Sequence, residues 1–147
     1  MAIIMLTGDK NKGKTSTLHF VHEILVTSGG KTTAFERIGG PTYRDFSDVV
    51  EYNNKKIAIF TAGDIYDHVK KAFSYYEEKH ADFLICAFNN KLKDHKELIY
   101  LKEPLEKARS IEKTLGSDLQ SRIAANWYDA WRIIAILEDY MKVTATL

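Results

Sequence analysis

Gly8, Gly13, Lys14 and Thr15 stand in the order glycine, four residues, glycine, lysine, threonine, with Asp9, Lys10, Asn11 and Lys12 filling the gap. That spacing suits the capture of a polyanion. Glycines at both ends let the main chain bend until successive N–H groups point inward at one set of phosphate oxygens, and a side chain at either place would block the bend or the close approach. A lysine directly after the second glycine reaches the β- and γ-phosphates. The hydroxyl of Thr15 can serve a Mg²⁺ that bridges the same oxygens, and Ser16 can bond the α-phosphate. Lys10 and Lys12 add positive charge to the loop or are simply solvated.

The flanking residues supply the elements that such a loop needs. Ala2–Leu6 is a short apolar run and predicts a buried strand. Residues 15–26 predict a helix that stops near Ser28, where Gly29 and Gly30 follow. Its first turn would add unpaired N–H groups and the positive end of a dipole to the site. On these residues, 2 to about 28, the chain resembles the P-loop nucleoside triphosphate hydrolase superfamily. The resemblance implies a nucleotide site built from Gly8 to Ser16, with Lys14 as the residue that neutralises phosphate charge.

Further along, residues 31–35 predict a second strand ending at Glu36 and Arg37, and 38–45 an irregular loop rich in Gly and Pro. Phe46–Tyr52 and Lys56–Phe60 are joined by Asn53 and Asn54, which tolerate positive φ, so a hairpin with one antiparallel strand is expected. Ile65, Val69, Ala72, Phe73 and Tyr76 recur at helical steps and predict a helix over 65–79. Phe83–Phe88 reads as another buried strand, opening into a charged loop at 89–96. Leu98–Leu101 reads as a further strand and Pro104–Gly116 as a helix. Ser117-Asp118-Leu119-Gln120 has capping-box form and should start a last helix, with Leu119, Ile123, Trp127, Ala130, Trp131, Ile134, Leu137 and Met141 packed on the sheet. The expected architecture is an α/β fold in one domain over 1–147, a three-layer α/β/α sandwich. Its sheet should be mostly parallel, of about five strands, with one antiparallel hairpin strand.

Ligands of such sheets sit at the carboxyl ends of the strands, which selects the residues just after each strand. Asp64, past the Ile57–Phe60 run, is the candidate acidic partner of Mg²⁺; a helix cap is the compatible alternative. Glu36 would contact an acceptor substrate or be a solvated strand-end charge. Arg37 and Arg44 flank a loop able to close over the γ-phosphate, and Arg44 is the candidate arginine finger, although surface positions are the ordinary fate of arginine. Thr61-Ala62-Gly63 is similar to the Asp-Thr-Ala-Gly of small GTPases, but Phe60 stands where the Asp belongs. Asn90-Lys91-Leu92-Lys93 approximates the guanine-reading Asn-Lys-x-Asp, with Lys93 in the acceptor's place and Asp94 one position late. A lysine accepts no hydrogen bond, so ATP is expected and GTP disfavoured. Asn89, Asn90 and Lys91 would then line a base or form a solvated loop. His19 and His22 share a helix face without further metal ligands at a suitable step, and Cys86 reads as a small buried hydrophobe.

A net charge of +1 over 147 residues gives no sign of a nucleic acid or membrane partner. A single Cys excludes an internal disulfide and fits a reducing cytoplasm, and neither a signal-peptide pattern nor a bilayer-length apolar run is found. The expected function is Mg²⁺-dependent ATP binding with hydrolysis or transfer of the γ-phosphate, Lys14, Asp64 and Arg44 taking part and Thr15 and Asp64 holding the metal. Arg109, Arg122 and Arg132 are scattered over predicted helices, so a kinase lid with clustered arginines is not evident. The alternative is a nucleotide-dependent switch with slow turnover, signalling through 37–45 and 61–65 to a protein partner.

Overall fold

A computed structural model describes residues 2–9, 12–92 and 96–145. The elements are β1 (Ala2–Gly8), α1 (Lys14–Thr27), β2 (Lys31–Thr32), β3 (Glu36–Arg37), β4 (Phe46–Tyr52), β5 (Lys55–Phe60), α2 (Tyr66–Glu78), β6 (Phe83–Asn89), α3 (Lys102–Lys107), β7 (Arg109–Glu112) and α4 (Leu119–Ala145). They form one sheet of order β2-β4-β5-β6-β1-β7, with β3 also paired to β4.

The unbroken apolar runs exist because helices cover both faces of this sheet. Ile4, Leu6, Ile57, Ile59, Phe83 and Ile85 point to one side, where α1 and α4 pack through Leu18, Val21, Ile133 and Leu137. Their neighbours Ile3, Met5, Ala58, Phe60, Leu84 and Cys86 point to the other, against Val69, Ala72 and Phe73 of α2. Burial pushes the Cys86 thiol up to about 12, so it is inert at neutral pH. No helix among the described residues is long and apolar enough to cross a membrane.

Several expectations require correction. The sheet has seven strands and is mixed, not mostly parallel. β1–β6, β1–β7 and β5–β6 run parallel, whereas β2–β4, β3–β4 and β4–β5 run antiparallel. The strand expected over 31–35 is split in two, because Asp48 Oδ1 takes the Ala34 N–H (2.9 Å) between the two short ladders. Residues 96–101 form a 3₁₀ turn, not a strand. The helix expected over 104–116 is six residues long and gives way to β7, which pairs with β1 at the sheet edge. The cap of α4 lies one residue later than expected: the Ser121 N–H donates to Asp118 Oδ1 (2.7 Å) and the Asp118 N–H to Ser121 Oγ (3.0 Å). Leu119, Ile123 and Trp131 are exposed and do not pack on the sheet, while Trp127 stacks on Phe20 with ring centres 3.9 Å apart. The hairpin is as expected, with Asn53 and Asn54 at φ 51° and 63°.

Candidate phosphate-loop site

β1 ends at Gly8 between β6 and the edge strand β7, so the chain leaves it at the carboxyl end of the parallel strands, where ligands of open sheets sit. The helix that follows begins at Lys14, with Gly13 as its N-cap at φ 89°. That left-handed conformation favours glycine. A Cβ there would also stand 2.7 Å from Asn126 Oδ1 on α4. Thr17 fastens the first turn, its hydroxyl reaching the Gly13 carbonyl (2.9 Å) and Asn126 Oδ1 (3.2 Å).

Lys14 is 6 % exposed and folds back over its own loop. Its ammonium donates to the carbonyls of Gly8 (2.9 Å) and Asp9 (2.7 Å) and lies 3.4 Å from Asp64 Oδ1. Asp64 Oδ1 is buried and has no hydrogen-bond partner, so the contact with Lys14 is an ion pair only. Asp64 does not cap α2, whose N-cap is Ile65 without a side-chain bond. Gly63 before it is demanded by space: a Cβ there would meet the Ala87 carbonyl oxygen at 2.0 Å.

Thr15 donates through Oγ1 to Asp45 Oδ1 (2.9 Å), which also accepts from the Thr61 hydroxyl (2.7 Å). Arg44 donates through Nη2 to Ser16 Oγ (2.9 Å), while its carbonyl accepts from His19 Nε2 (2.8 Å) and Arg37 Nη1 (3.2 Å). A carbonyl only accepts, so Nε2 of His19 carries the proton. Burial, with the charges of Arg44 and Arg37, pulls the His19 pKa below its usual value against the bond to Arg44, and the ring is neutral at pH 7. Arg44 and Asp45 thus pin the end of the 38–45 loop to the first turns of α1. The loop closes on itself through the Ile38 N–H and the Asp45 carbonyl (2.9 Å).

A cavity of about 660 Å³ joins these parts. It is lined by Lys14, Thr15, Ser16, Arg44, Asp45 and Asp64 from the first half of the chain, by Lys12 and Gly13 of the loop, and by Leu115, Leu119, Arg122, Ile123 and Asn126 from the last loop and α4. The lining is therefore mixed: Lys14, Arg44, Asp45, Asp64 and Arg122 bring charge, and Leu115, Leu119 and Ile123 bring apolar surface. Lys10 and Asn11 of the expected loop lie outside the described residues, as do Lys93 and Asp94 of the near-miss guanine motif. Asn89 is buried and accepts from the Lys91 N–H, and neither lines the cavity. Glu36 lies on an exposed strand away from it, and Phe60 is a core residue. His22 Nε2 donates to Asp48 Oδ2 (2.7 Å) and stays outside the cavity.

The oxygen donors suit a hard divalent cation. No group of three or more His, Cys, Asp or Glu side chains able to hold a metal occurs among the described residues. A Mg²⁺ commonly needs only one or two carboxylates, with phosphate and water oxygens completing its shell. Thr15, Asp45 and the Oδ1 of Asp64, which carries no hydrogen bond, would fit that demand.

Asp45 escaped the strand-end rule for a topological reason, and Asn126 because it lies on α4, which the rule does not reach. β4 runs antiparallel to β5, so its start, not its end, lies at the ligand edge. The Asn53-Asn54 hairpin held that signal, since a strand reversed in the sheet presents the residue before it. Comparison of the chain with family models, curated proteins and solved structures finds no match.

Proposed function

We propose that the chain binds a nucleoside triphosphate with Mg²⁺ at the β1–α1 loop, ATP in preference to GTP, and acts on the γ-phosphate as an ATPase or phosphotransferase. The observation that carries this reading is the loop itself. Gly13 is held left-handed at a helix N-terminus, and a nearly buried ammonium is gathered among the loop carbonyls in the lining of a 660 Å³ cavity. Backbone N–H groups and the positive helix end favour an anion there. A lysine satisfied by its own loop carbonyls can exchange them for phosphate oxygens at little net cost.

Bound Mg²⁺ would neutralise charge on the β- and γ-oxygens; Thr15 and Asp64, with Asp45 beside them, are the groups to hold it or its water. Lys14 would offset charge on the same oxygens. Arg44 is exposed and already bonded to Ser16, one residue from Thr15, within reach of a phosphate that displaces that bond. The alternative, a switch with slow turnover, is favoured by one feature: Arg44 and Asp45 are adjacent and touch the two α1 residues that would meet phosphate and metal. Occupancy of the site would alter both ties of the 38–45 loop at once, and a protein partner could read the change.

A thermal-shift screen of nucleoside triphosphates with and without Mg²⁺ tests the reading. Mg²⁺–ATP should raise the Tm more than Mg²⁺–GTP, and ATP alone should raise it less. No shift with any triphosphate would end the proposal. Phosphate release well above the spontaneous rate would favour the enzyme; a shift without turnover would favour the switch.

A further inference from the structure

Beneath the phosphate loop lies a buried charge that its sequence pattern does not include. Lys113 follows β7 directly and runs under both loop glycines. Its Cβ is 3.1 Å from where a Cβ on Gly8 would sit, and its Cε 3.4 Å from one on Gly13. The ammonium donates to Asp129 Oδ2 (2.9 Å) and to the Thr114 carbonyl (2.7 Å), and the two charged side chains are 1 % and 0 % exposed. Asp129, on α4, also accepts from the Thr114 N–H (2.7 Å), the Thr114 hydroxyl (2.7 Å) and Arg132 Nη1 (3.2 Å).

Packing alone does not call for this arrangement. A methionine would fill the space under two glycines without the cost of desolvating an ammonium and a carboxylate. Two cations share the one carboxylate, and Arg132 engages it on the oxygen opposite Lys113. Lys113 is therefore incompletely countered, and its charge lies in a region of low dielectric against the backbone that lines the anion site.

We propose that Lys113 is a positioning residue for the phosphate loop, its buried ammonium raising the affinity of the loop for polyphosphate, with Asp129 setting how much of that charge the loop feels. The proposal rests on the reading that the loop takes a polyphosphate. It adds a charge from β7's end to the proposed phosphate and metal groups, which otherwise come from the first 64 residues, and names phosphate, not base, as what that charge serves.

Calorimetric titration of the full chain with inorganic tripolyphosphate, which carries no base or sugar, tests it at low and high salt beside thermal unfolding. Wild-type binding must be seen first; its absence would overturn this proposal together with the polyphosphate reading. Given wild-type binding, Lys113→Met should weaken it about tenfold at low salt, and Asp129→Asn should leave it equal or tighter although both lower the Tm. A purely structural pair would weaken binding alike in the two variants. The double variant guards against misfolding of either single one, because a buried pair replaced on both sides is often tolerated. It should regain stability without regaining wild-type affinity. Wild-type affinity in Lys113→Met or in the double variant, or parallel losses in the single variants, would overturn the role of Lys113 while leaving the loop's own binding intact.

Discussion

On the proposed reading Lys14 is the residue on which phosphate binding should turn, because its ammonium donates to two carbonyls of the loop. Hydrogen bonds to a charged group contribute about 1.5–3 kcal/mol each. Lys14→Ala should therefore lower Mg²⁺–ATP affinity at least tenfold, with the far-ultraviolet dichroism of the fold unchanged; equal affinities by calorimetry would remove Lys14 from the site. The two carboxylates separate by the same logic. Asn at position 45 can still accept from Thr15 and Thr61, so Asp45→Asn removes charge and leaves the contacts. Asp64→Asn removes charge next to Lys14. Each should raise the Mg²⁺ concentration needed for half-maximal binding by about tenfold; a titration identical to wild type would exclude that residue. Of this candidate site, the turn from β1 through Gly13 into α1 was legible in the sequence, because an apolar run, paired glycines and a helical stretch follow one another there. Asp45 was not, since its role comes from the reversal of the strand it precedes. Lys113 and Asn126 were not either: they reach the loop only once β7 and α4 have folded against it.

At the scale of elements, legibility followed burial. β1, β5 and β6 are covered on both faces, so their residues had to be apolar without interruption, and that run is visible in any sequence. β7 is an edge strand with Ile111 as its single buried residue, and neither an alternation nor a run can announce it. Leu98–Leu101 offered apolar residues of the right kind, yet they settle as a 3₁₀ turn in which Leu98 packs on the α2 side. The junction after β5 is the most constrained of the connections to the site. Gly63 brings the chain across β6 so closely that a methyl group would overlap the Ala87 carbonyl, and the Asn89 N–H bonds the Gly63 carbonyl (3.0 Å). A rigid backbone atom cannot yield as a side chain would. Gly63→Ala should cost about 3 kcal/mol, seen as a lower urea midpoint at unchanged m-value, and should displace Asp64 enough to weaken the Mg²⁺ dependence of nucleotide binding. A variant as stable as wild type would show that β5 can exit by another path.

The whole molecule is tied across its layers by two fully buried carboxylates, and these set its response to acid. Burial alone would discourage ionisation of Asp48, but hydrogen bonds from His22, Thr32 and the Ala34 N–H outweigh it and hold the carboxyl below the usual range. The same balance holds for Asp129, where burial is outweighed by Thr114 and Lys113. One pair clamps the β2–β3 edge and α1 onto β4; the other clamps the last loop onto α4. A carboxyl whose folded pKa lies under its unfolded value of about 3.9 contributes in full above that value, and the contribution disappears as pH falls through the folded pKa. The contribution of these two carboxylates should accordingly be level above about pH 5 and decline below pH 4, while the lowered pKa of His19 adds a loss of its own as pH falls below 6.5. Asp48→Asn separates this linkage from general acid repulsion. At pH 7 the variant loses a charged acceptor and should be about 2 kcal/mol less stable than wild type. At a pH low enough to protonate the wild-type carboxyl in the folded state, the two proteins should converge. Urea unfolding at both pH values measures the gap, and a gap of the same size at each would mean that Asp48 holds the edge through shape and neutral hydrogen bonding, with no share in the acid response.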